Sequence, residues 1–94
     1  MLVRQEFLRA AERWKEETRY FSSVQEIILN TSYQRIIGLG ERVIPHILSE
    51  LARETDHWFW ALRALVGKDV AQGATSMTEA ANLWLAWGRQ NSLL

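Results

Sequence analysis

The side chains best suited to acid–base or metal chemistry are two histidines, His46 and His57, and the carboxylates near them. Glu50 follows His46 by four residues, so the two side chains share one face of a helix. A metal site needs three or four convergent ligands, and the chain has no HExxH or comparable spacing. Asp56 precedes His57, and either Thr55 or Asp56 is suited to capping a helix start. We therefore expect no metal, no cofactor and no acid–base pair here.

The hydroxyl groups do not form a catalytic pattern either. A nucleophilic serine on a strand-to-helix turn needs a strand, and no segment alternates with period two. Gly38-Leu39-Gly40 lacks both the strand before it and the Lys-Ser/Thr pair after it that a phosphate loop requires. Cysteine is absent, which excludes thiolate catalysis and disulfides. All candidate hydroxyls but Ser49 fall at helix caps or in loops: Ser22, Ser23, Ser32, Ser49, Thr75 and Ser76. We expect a protein that is not an enzyme.

Tryptophan is abundant, with five copies in 94 residues. Trp14, Trp58 and Trp84 fit apolar helix faces and are expected in the core. Trp60 lies about 200° around a helix from Trp58, at ~3.6 residues per turn, and cannot fully share its face. Trp60 and Trp87 are therefore either at the rim of the core or anchors for a partner, since tryptophan and arginine dominate interface hot spots.

These residues suggest a surface that covers a partner protein sterically. The predicted partner-binding residues are Trp60, Arg63, Trp87, His57 and Arg53. The same surface could close a twofold homodimer. The alternative function is a nucleic-acid-binding regulator that uses a basic face of Arg35, Arg42, Arg53 and Arg63. It is disfavoured because the segment after Asp56 is too apolar for a DNA groove, and eleven basic residues balance eleven acidic ones.

The composition predicts one all-helical domain over residues 1–94. Hydrophobic residues make up 48% and charged residues 23%, which is ordinary for globular proteins. No window approaches ~18 uninterrupted apolar residues, so no membrane contact is expected. The opening MLVRQEFLRAAERW carries charge throughout, unlike a signal peptide. We expect a cytoplasmic protein.

Capping residues and apolar spacing predict about five helices around one core. The first spans 2–21, with an apolar stripe of Val3, Phe7, Ala11, Trp14, Thr18 and Phe21, and with surface pairs Arg13–Glu17 and Glu12–Lys15. Residues 24–39 form one kinked helix or two short ones. We favour two, opened by Ser23 and by Thr31 or Ser32.

Proline, glycine and capping residues also mark the ends of the helices in the second half of the chain. The next segment, 41–54, forms a helix in which Pro45 is tolerated only near the first turn, so the helix starts near Val43 or Ile44. Its inner face is lined by Ile44, Ile47, Leu48 and Leu51. The next helix ends at Gly67, residues 68–76 form a loop, and Ser76 opens a helix over 77–90. Its inner face includes Met77, Ala80, Ala81, Trp84, Trp87 and Gly88, and Gly88 is expected to loosen its end.

Two resemblances add to this reading. The segment GLGERVIPHILSELARETDHWFWALRALVG resembles a HEAT-type repeat, which implies a helical hairpin over 43–66 at the centre of the fold. The whole chain, through YQRIIG, Ile44-Pro45, DHWFWAL and a closing Trp84-x-x-Trp87-Gly88, resembles a family of short all-helical bacterial proteins. That resemblance implies an association with toxin–antitoxin-like pairs, and hence an antitoxin- or immunity-type protein that neutralises a toxin partner.

Overall fold

Helices form every regular element in the part of the chain that the computed structural model describes, residues 2–94. The elements are α1 (Val3–Thr18), α2 (Val24–Ile28), α3 (Thr31–Gly38), a 3-10 turn (Glu41–Val43), α4 (Ile44–Arg53), α5 (Phe59–Val66) and α6 (Met77–Gln90). The predicted all-α fold is therefore confirmed. This range contains six α-helices, and two of them lie in the segment 24–39, for which the sequence allowed either one kinked helix or two short ones. Met1, part of the predicted domain 1–94, lies outside the described residues.

The predicted stripe of α1 is buried along its middle and exposed at its end. Phe7, Ala11, Trp14 and Thr18 are buried, whereas Phe21 is half exposed. The helix stops at Thr18 instead of continuing to 21, and the Phe21 N–H donates to the Thr18 carbonyl at 3.0 Å. The chain turns there, so Phe21 no longer follows the helical stripe.

Residues 24–38 form two helices, as predicted, but the cap of the second is Asn30 and not Thr31 or Ser32. Its Oδ1 accepts hydrogen bonds from the N–H groups of Ser32 (2.9 Å) and Tyr33 (3.2 Å). Glu17 of α1 accepts from the Asn30 amide at 3.2 Å and from the Ser32 hydroxyl at 3.0 Å. The start of α3 is thus held both by its own cap and by α1.

The acidic and basic residues of α1 use partners on other helices. The two ion pairs expected within α1 do not form among residues 2–94: Arg13–Glu17 and Glu12–Lys15. Lys15 instead lies 3.5 Å from a carboxylate oxygen of Glu50 on α4. Spacing along one helix shows which charges are neighbours on its surface, but a nearby helix can offer a better partner.

The helix α4 has the inner face that its sequence predicts, and α6 packs against it. Ile44, Ile47, Leu48 and Leu51 are all buried. Gly88 is buried as well, and a Cβ built on it would lie 2.8 Å from Leu48 Cδ1. Gly88 does not loosen the helix, which runs on to Gln90, and its missing side chain instead allows close packing of the two helices.

Aromatic rings from four segments form the centre of the core. The Trp14 ring lies 4.6 Å from that of Trp58 and 5.1 Å from that of Tyr33, centroid to centroid. Phe7 packs on Trp58 at 5.5 Å. Trp84 is also fully buried, so the three tryptophans predicted for the core are confirmed there. Within residues 2–94, Nε1 of Trp14 donates to the Ile27 carbonyl at 2.9 Å, while Nε1 of Trp58 and of Trp84 has no acceptor.

The helix α5 packs mainly against α3. The most extensive helix contacts join α1 to α3, α4 to α6 and α3 to α5, and α4 and α5 touch less extensively. The two helices of the HEAT-like hairpin are therefore in contact, yet each packs mainly on another helix. The HEAT likeness itself stays a prediction.

Candidate partner-binding surface

The aromatic residues at the start of α5 point in different directions, which leaves Trp60 at the surface. Trp58 precedes the helix and is fully buried, while Ala61 and Leu62 are buried on its inner side. Trp60 is 49% exposed. Each residue advances by about 100° around a helix, so Trp60 cannot share the inner face with Trp58 and Leu62. Trp60 is therefore partly in solvent, a position that fits both the rim of the core and an anchor for a partner.

A tyrosine from another helix fixes where α5 begins. The Tyr33 hydroxyl accepts a hydrogen bond from the Ala61 N–H at 2.9 Å and donates one to the His57 carbonyl at 2.8 Å. Ala61 is the third residue of α5, and its N–H is one that a helix leaves without an internal partner. Burial raises the pKa of Tyr33 well above its ordinary value. Tyr33 thus caps, from α3, the start of the helix that carries Trp60.

The expected cap at Thr55 or Asp56 is wrong, because α5 starts later than the sequence suggests. The helix begins at Phe59, and no side chain of its own N-cap residue, Trp58, bonds to it. The Asp56 carboxylate accepts from the His57 N–H at 2.8 Å, within the turn before the helix. A cap supplied by a residue 28 positions earlier in the chain has no local signal in the sequence.

Trp60 and Arg63 form an exposed pair on α5. The guanidinium carbon of Arg63 lies 5.6 Å from the centroid of the Trp60 ring. The two residues are three apart, so the helix places them as neighbours. Such a cation–π contact at an exposed site is worth about 0.5–1 kcal/mol. Arg63 has no carboxylate partner within residues 2–94, so its N–H donors face solvent.

Arg53 is engaged within the molecule. Its Nη2 lies 2.7 Å from Oε2 of Glu50, and its Nε donates to Oε1 at 3.4 Å. The hydrogen bond from Arg53, together with the charge of Arg53 and Lys15, lowers the pKa of Glu50, and the same pairing raises the pKa of Arg53. Of the predicted partner-binding residues, Arg53 is therefore the one whose charge is already matched.

His57 and Trp87 lie apart from the Trp60–Arg63 pair in their contacts. His57 is half-buried and lines a cleft of about 340 Å³ whose other walls include Trp14, Phe21 and Glu54. Trp87 is half-buried on α6, where its ring meets that of Trp84 edge-on at 5.6 Å. Within residues 2–94 the rings of Trp60 and Trp87 do not contact each other. The structure joins Trp60 to Arg63 but does not show one continuous patch of all five residues.

Sequence reasoning missed a second exposed aromatic–arginine pair at the end of α1. Tyr20 is 89% exposed, and the guanidinium of Arg19 lies 5.7 Å from its ring centroid. Phe21, Val24 and Leu29 are exposed nearby in sequence. Because α1 was predicted to run to residue 21, Tyr20 was not distinguished from the charged residues on its outer face. Ser22 and Ser23 are residue types suited to helix ends and caps, and they were the signal in the sequence that the helix could end earlier.

Neither a metal site nor a membrane-crossing helix is found in the described part of the chain. No group of three or more His, Cys, Asp or Glu side chains among residues 2–94 could hold a metal ion. His46 is half-buried on α4, and its ring stacks on that of Phe7 with centroids 6.2 Å apart. In the same range, no helix has both the length and the apolar character needed to cross a membrane.

Comparison of the chain with models of protein families, with curated proteins and with solved structures gives no match. The resemblances to a HEAT-type repeat and to an all-helical bacterial family remain predictions. The function has to be inferred from the side chains that the surface presents.

Proposed function

We propose that this protein is a non-catalytic protein–protein interaction module, and that it acts as a small bacterial antitoxin- or immunity-type protein that neutralises its partner. The observation that carries the proposal is the exposed Trp60 ring with Arg63 stacked over it. The neutralising role rests on the family resemblance. The binding role rests on this pair.

The pair has the properties of an interface anchor. A half-exposed indole keeps a large apolar area in water, and covering it with a partner removes that cost. The neighbouring arginine has five N–H donors that can meet a carboxylate or carbonyl of the partner. Because Arg63 already rests on the Trp60 ring, less side-chain freedom is lost when it binds. Tryptophan and arginine are also the residues most enriched at binding hot spots.

Neutralisation would be steric. The Trp60 ring would enter a pocket on the partner, Arg63 would pair with an acidic group at its edge, and the rest of the domain would cover the partner's active surface. Trp87 and His57 are half-buried and Arg53 remains paired with Glu50, so the contact would depend mainly on Trp60 and Arg63. No group of this protein needs to change chemically during the process.

The test is recovery of the partner from the organism that makes this protein. Tagged wild-type protein and the variants Trp60→Ala, Arg63→Ala and Tyr20→Ala are purified, and the co-purifying chain is identified by mass spectrometry. Tyr20→Ala is the matched control, because it also removes an exposed aromatic ring with an arginine over it. Circular dichroism checks that all variants keep their helices.

We expect a partner chain that wild type and Tyr20→Ala retain and that Trp60→Ala loses. Co-expression of this protein should restore the growth that the partner alone inhibits, and Trp60→Ala should fail to restore it. Equal recovery by all variants would contradict the assignment of the surface. A partner that does not inhibit growth would contradict the neutralising role, and binding only to nucleic acid, with an affinity that falls steeply with salt, would contradict the proposal as a whole.

A further inference from the structure

A wide cleft of about 910 Å³ between α1 and α3 is lined by three arginines. Arg9 and Arg13 stand on the α1 side, and Arg35 stands on the α3 side. One acidic residue, Glu6, also lines it. The lining therefore has a formal charge of +2, three arginines less one glutamate, in a chain whose total is zero.

The three guanidinium groups are not matched by carboxylates of the described chain. Within residues 2–94, ion pairs with N···O distances up to 4.0 Å involve Lys15, Arg19 and Arg53, and none involves the arginines of the cleft. Glu17, four residues after Arg13, instead accepts hydrogen bonds from the amide and hydroxyl groups at the start of α3. No ion pair within the described chain therefore neutralises the three arginines of the cleft.

The spacing of the arginines fits an extended acidic chain. Arg9 and Arg13 are four residues apart, which is about 6 Å along a helix that rises ~1.5 Å per residue. Alternate side chains of an extended segment lie on one side at intervals of about 6.6 Å. Carboxylates at every second residue could therefore meet Arg9 and Arg13 in turn. Guanidinium groups bind carboxylates through two parallel hydrogen bonds, and Arg35 could hold a further carboxylate from the opposite wall.

Nucleic acid fits the cleft less well. Its binding depends on neutralising many successive phosphates, for which a protein needs a long basic surface. This basic region is short: Glu6 lies in the cleft itself, and α1 also carries Glu12, Glu16 and Glu17.

We propose that the α1–α3 cleft binds an extended acidic segment of another protein, with carboxylates at alternate residues. The site uses Arg9, Arg13 and Arg35 and is separate from the Trp60–Arg63 pair on α5. It therefore does not rest on the proposed function, and it could serve the same partner or a different one.

The test is an NMR titration of ¹⁵N-labelled protein with a synthetic peptide, acetyl-Glu-Ser-Glu-Ser-Glu-amide. The glutamine peptide of the same length and a 12-base-pair DNA duplex are titrated in parallel. The cleft variant is Arg9→Gln/Arg13→Gln/Arg35→Gln. The control variant, Arg4→Gln/Arg42→Gln/Arg89→Gln, removes three exposed arginines that do not line the cleft, so both variants have the same net charge.

We expect the acidic peptide to shift the signals of residues 31–39 and of the three cleft arginines, and the glutamine peptide to leave them unchanged. The cleft variant should bind at least about tenfold more weakly than wild type, since it lacks three charge pairs, while the control variant should stay within about threefold. The proposal is overturned by an absence of shifts, by shifts centred outside the cleft, or by equal weakening in both variants. Tighter binding of the duplex at the same signals would assign the cleft to nucleic acid and overturn it as well.

Discussion

Replacing Tyr33 by phenylalanine removes one oxygen atom and two hydrogen bonds from the junction of α3 and α5. The Ala61 N–H is fully buried and loses its acceptor, which costs about 1–3 kcal/mol for an unsatisfied buried donor. The His57 carbonyl is only partly buried and can accept a hydrogen bond from water instead. Losing its hydrogen bond from Tyr33 should therefore cost nearer ~1 kcal/mol. Together, Tyr33→Phe should lower the free energy of unfolding by about 2–4 kcal/mol.

The measurement is thermal or urea unfolding followed by circular dichroism, with Tyr20→Phe as control. Tyr20 is the other of the two tyrosines and is exposed, so its hydroxyl should matter by less than about 0.5 kcal/mol. In a domain of this size ~1 kcal/mol corresponds to about 4–8 °C, so Tyr33→Phe should melt at least ~8 °C lower. Equal melting temperatures for the two variants would refute the role of Tyr33 as a cap supplied from another helix.

The same hydroxyl should make stability depend on alkaline pH. Burial raises the pKa of Tyr33, so the folded state keeps a proton that the unfolded chain releases above its ordinary pKa of ~10. This contribution is fully present below pH ~10 and is lost as the pH rises further. In Tyr20→Phe, the ultraviolet absorbance of phenolate should therefore appear only as the protein unfolds. Phenolate that forms at pH ~10 with the helices intact would contradict the burial of Tyr33.

Substitutions at three further sites, two of them with a control substitution, test other parts of the fold by urea unfolding. Gly88→Ala should destabilise by about 1–3 kcal/mol because the added methyl group meets α4, whereas Gly38→Ala, with open space around it, should be neutral or stabilising by up to ~1 kcal/mol; similar values for both would contradict the close packing of α6 on α4. Asn30→Ala should cost about 1 kcal/mol through loss of the α3 cap, and Thr31→Ala less than about 0.5 kcal/mol; the reverse order would restore the sequence-based assignment. Glu50→Gln should make the free energy of unfolding less dependent on pH in the acid range. The lowered pKa of Glu50 stabilises the fold above pH ~4.5, and this stabilisation is lost as the pH falls. An unchanged pH dependence in the variant would argue against the ion pair.

Much of the fold could be read from local signals in the sequence. The inner face of α4 followed from its apolar spacing, its start from Pro45, and the end of α5 from Gly67, which adopts a positive φ of 87°. Ser23 and Ser76 each accept a hydrogen bond from the N–H three residues later, as their spacing indicated. These features depend on residues within one or two helical turns, so the sequence contains the information.

The errors arose where a distant residue replaced a local one. Tyr33 caps α5 in place of Asp56. Lys15 forms an ion pair with Glu50 on α4 and not with Glu12 on its own helix. For the candidate surface, helical geometry indicated that Trp60 cannot fully share the core face with Trp58, and the fold leaves about half of Trp60 exposed. It could not predict that the rings of Trp60 and Trp87 would not touch, because that depends on how separate helices pack. The pairing of Arg53 with Glu50, in contrast, joins residues three apart on α4, so its spacing was available in the sequence.

The dissociation constant of the identified partner, measured by calorimetry for wild type and for single alanine variants, shows whether Trp60 and Arg63 anchor the binding. Trp60→Ala should weaken binding by about 2 kcal/mol or more, roughly thirtyfold, and Arg63→Ala by a comparable amount, as expected of residues at a hot spot. Tyr20→Ala should change it by less than about threefold. A dissociation constant that Trp60→Ala leaves unchanged, in a variant that keeps its helices, would contradict the claim that this protein binds its partner through the Trp60–Arg63 surface.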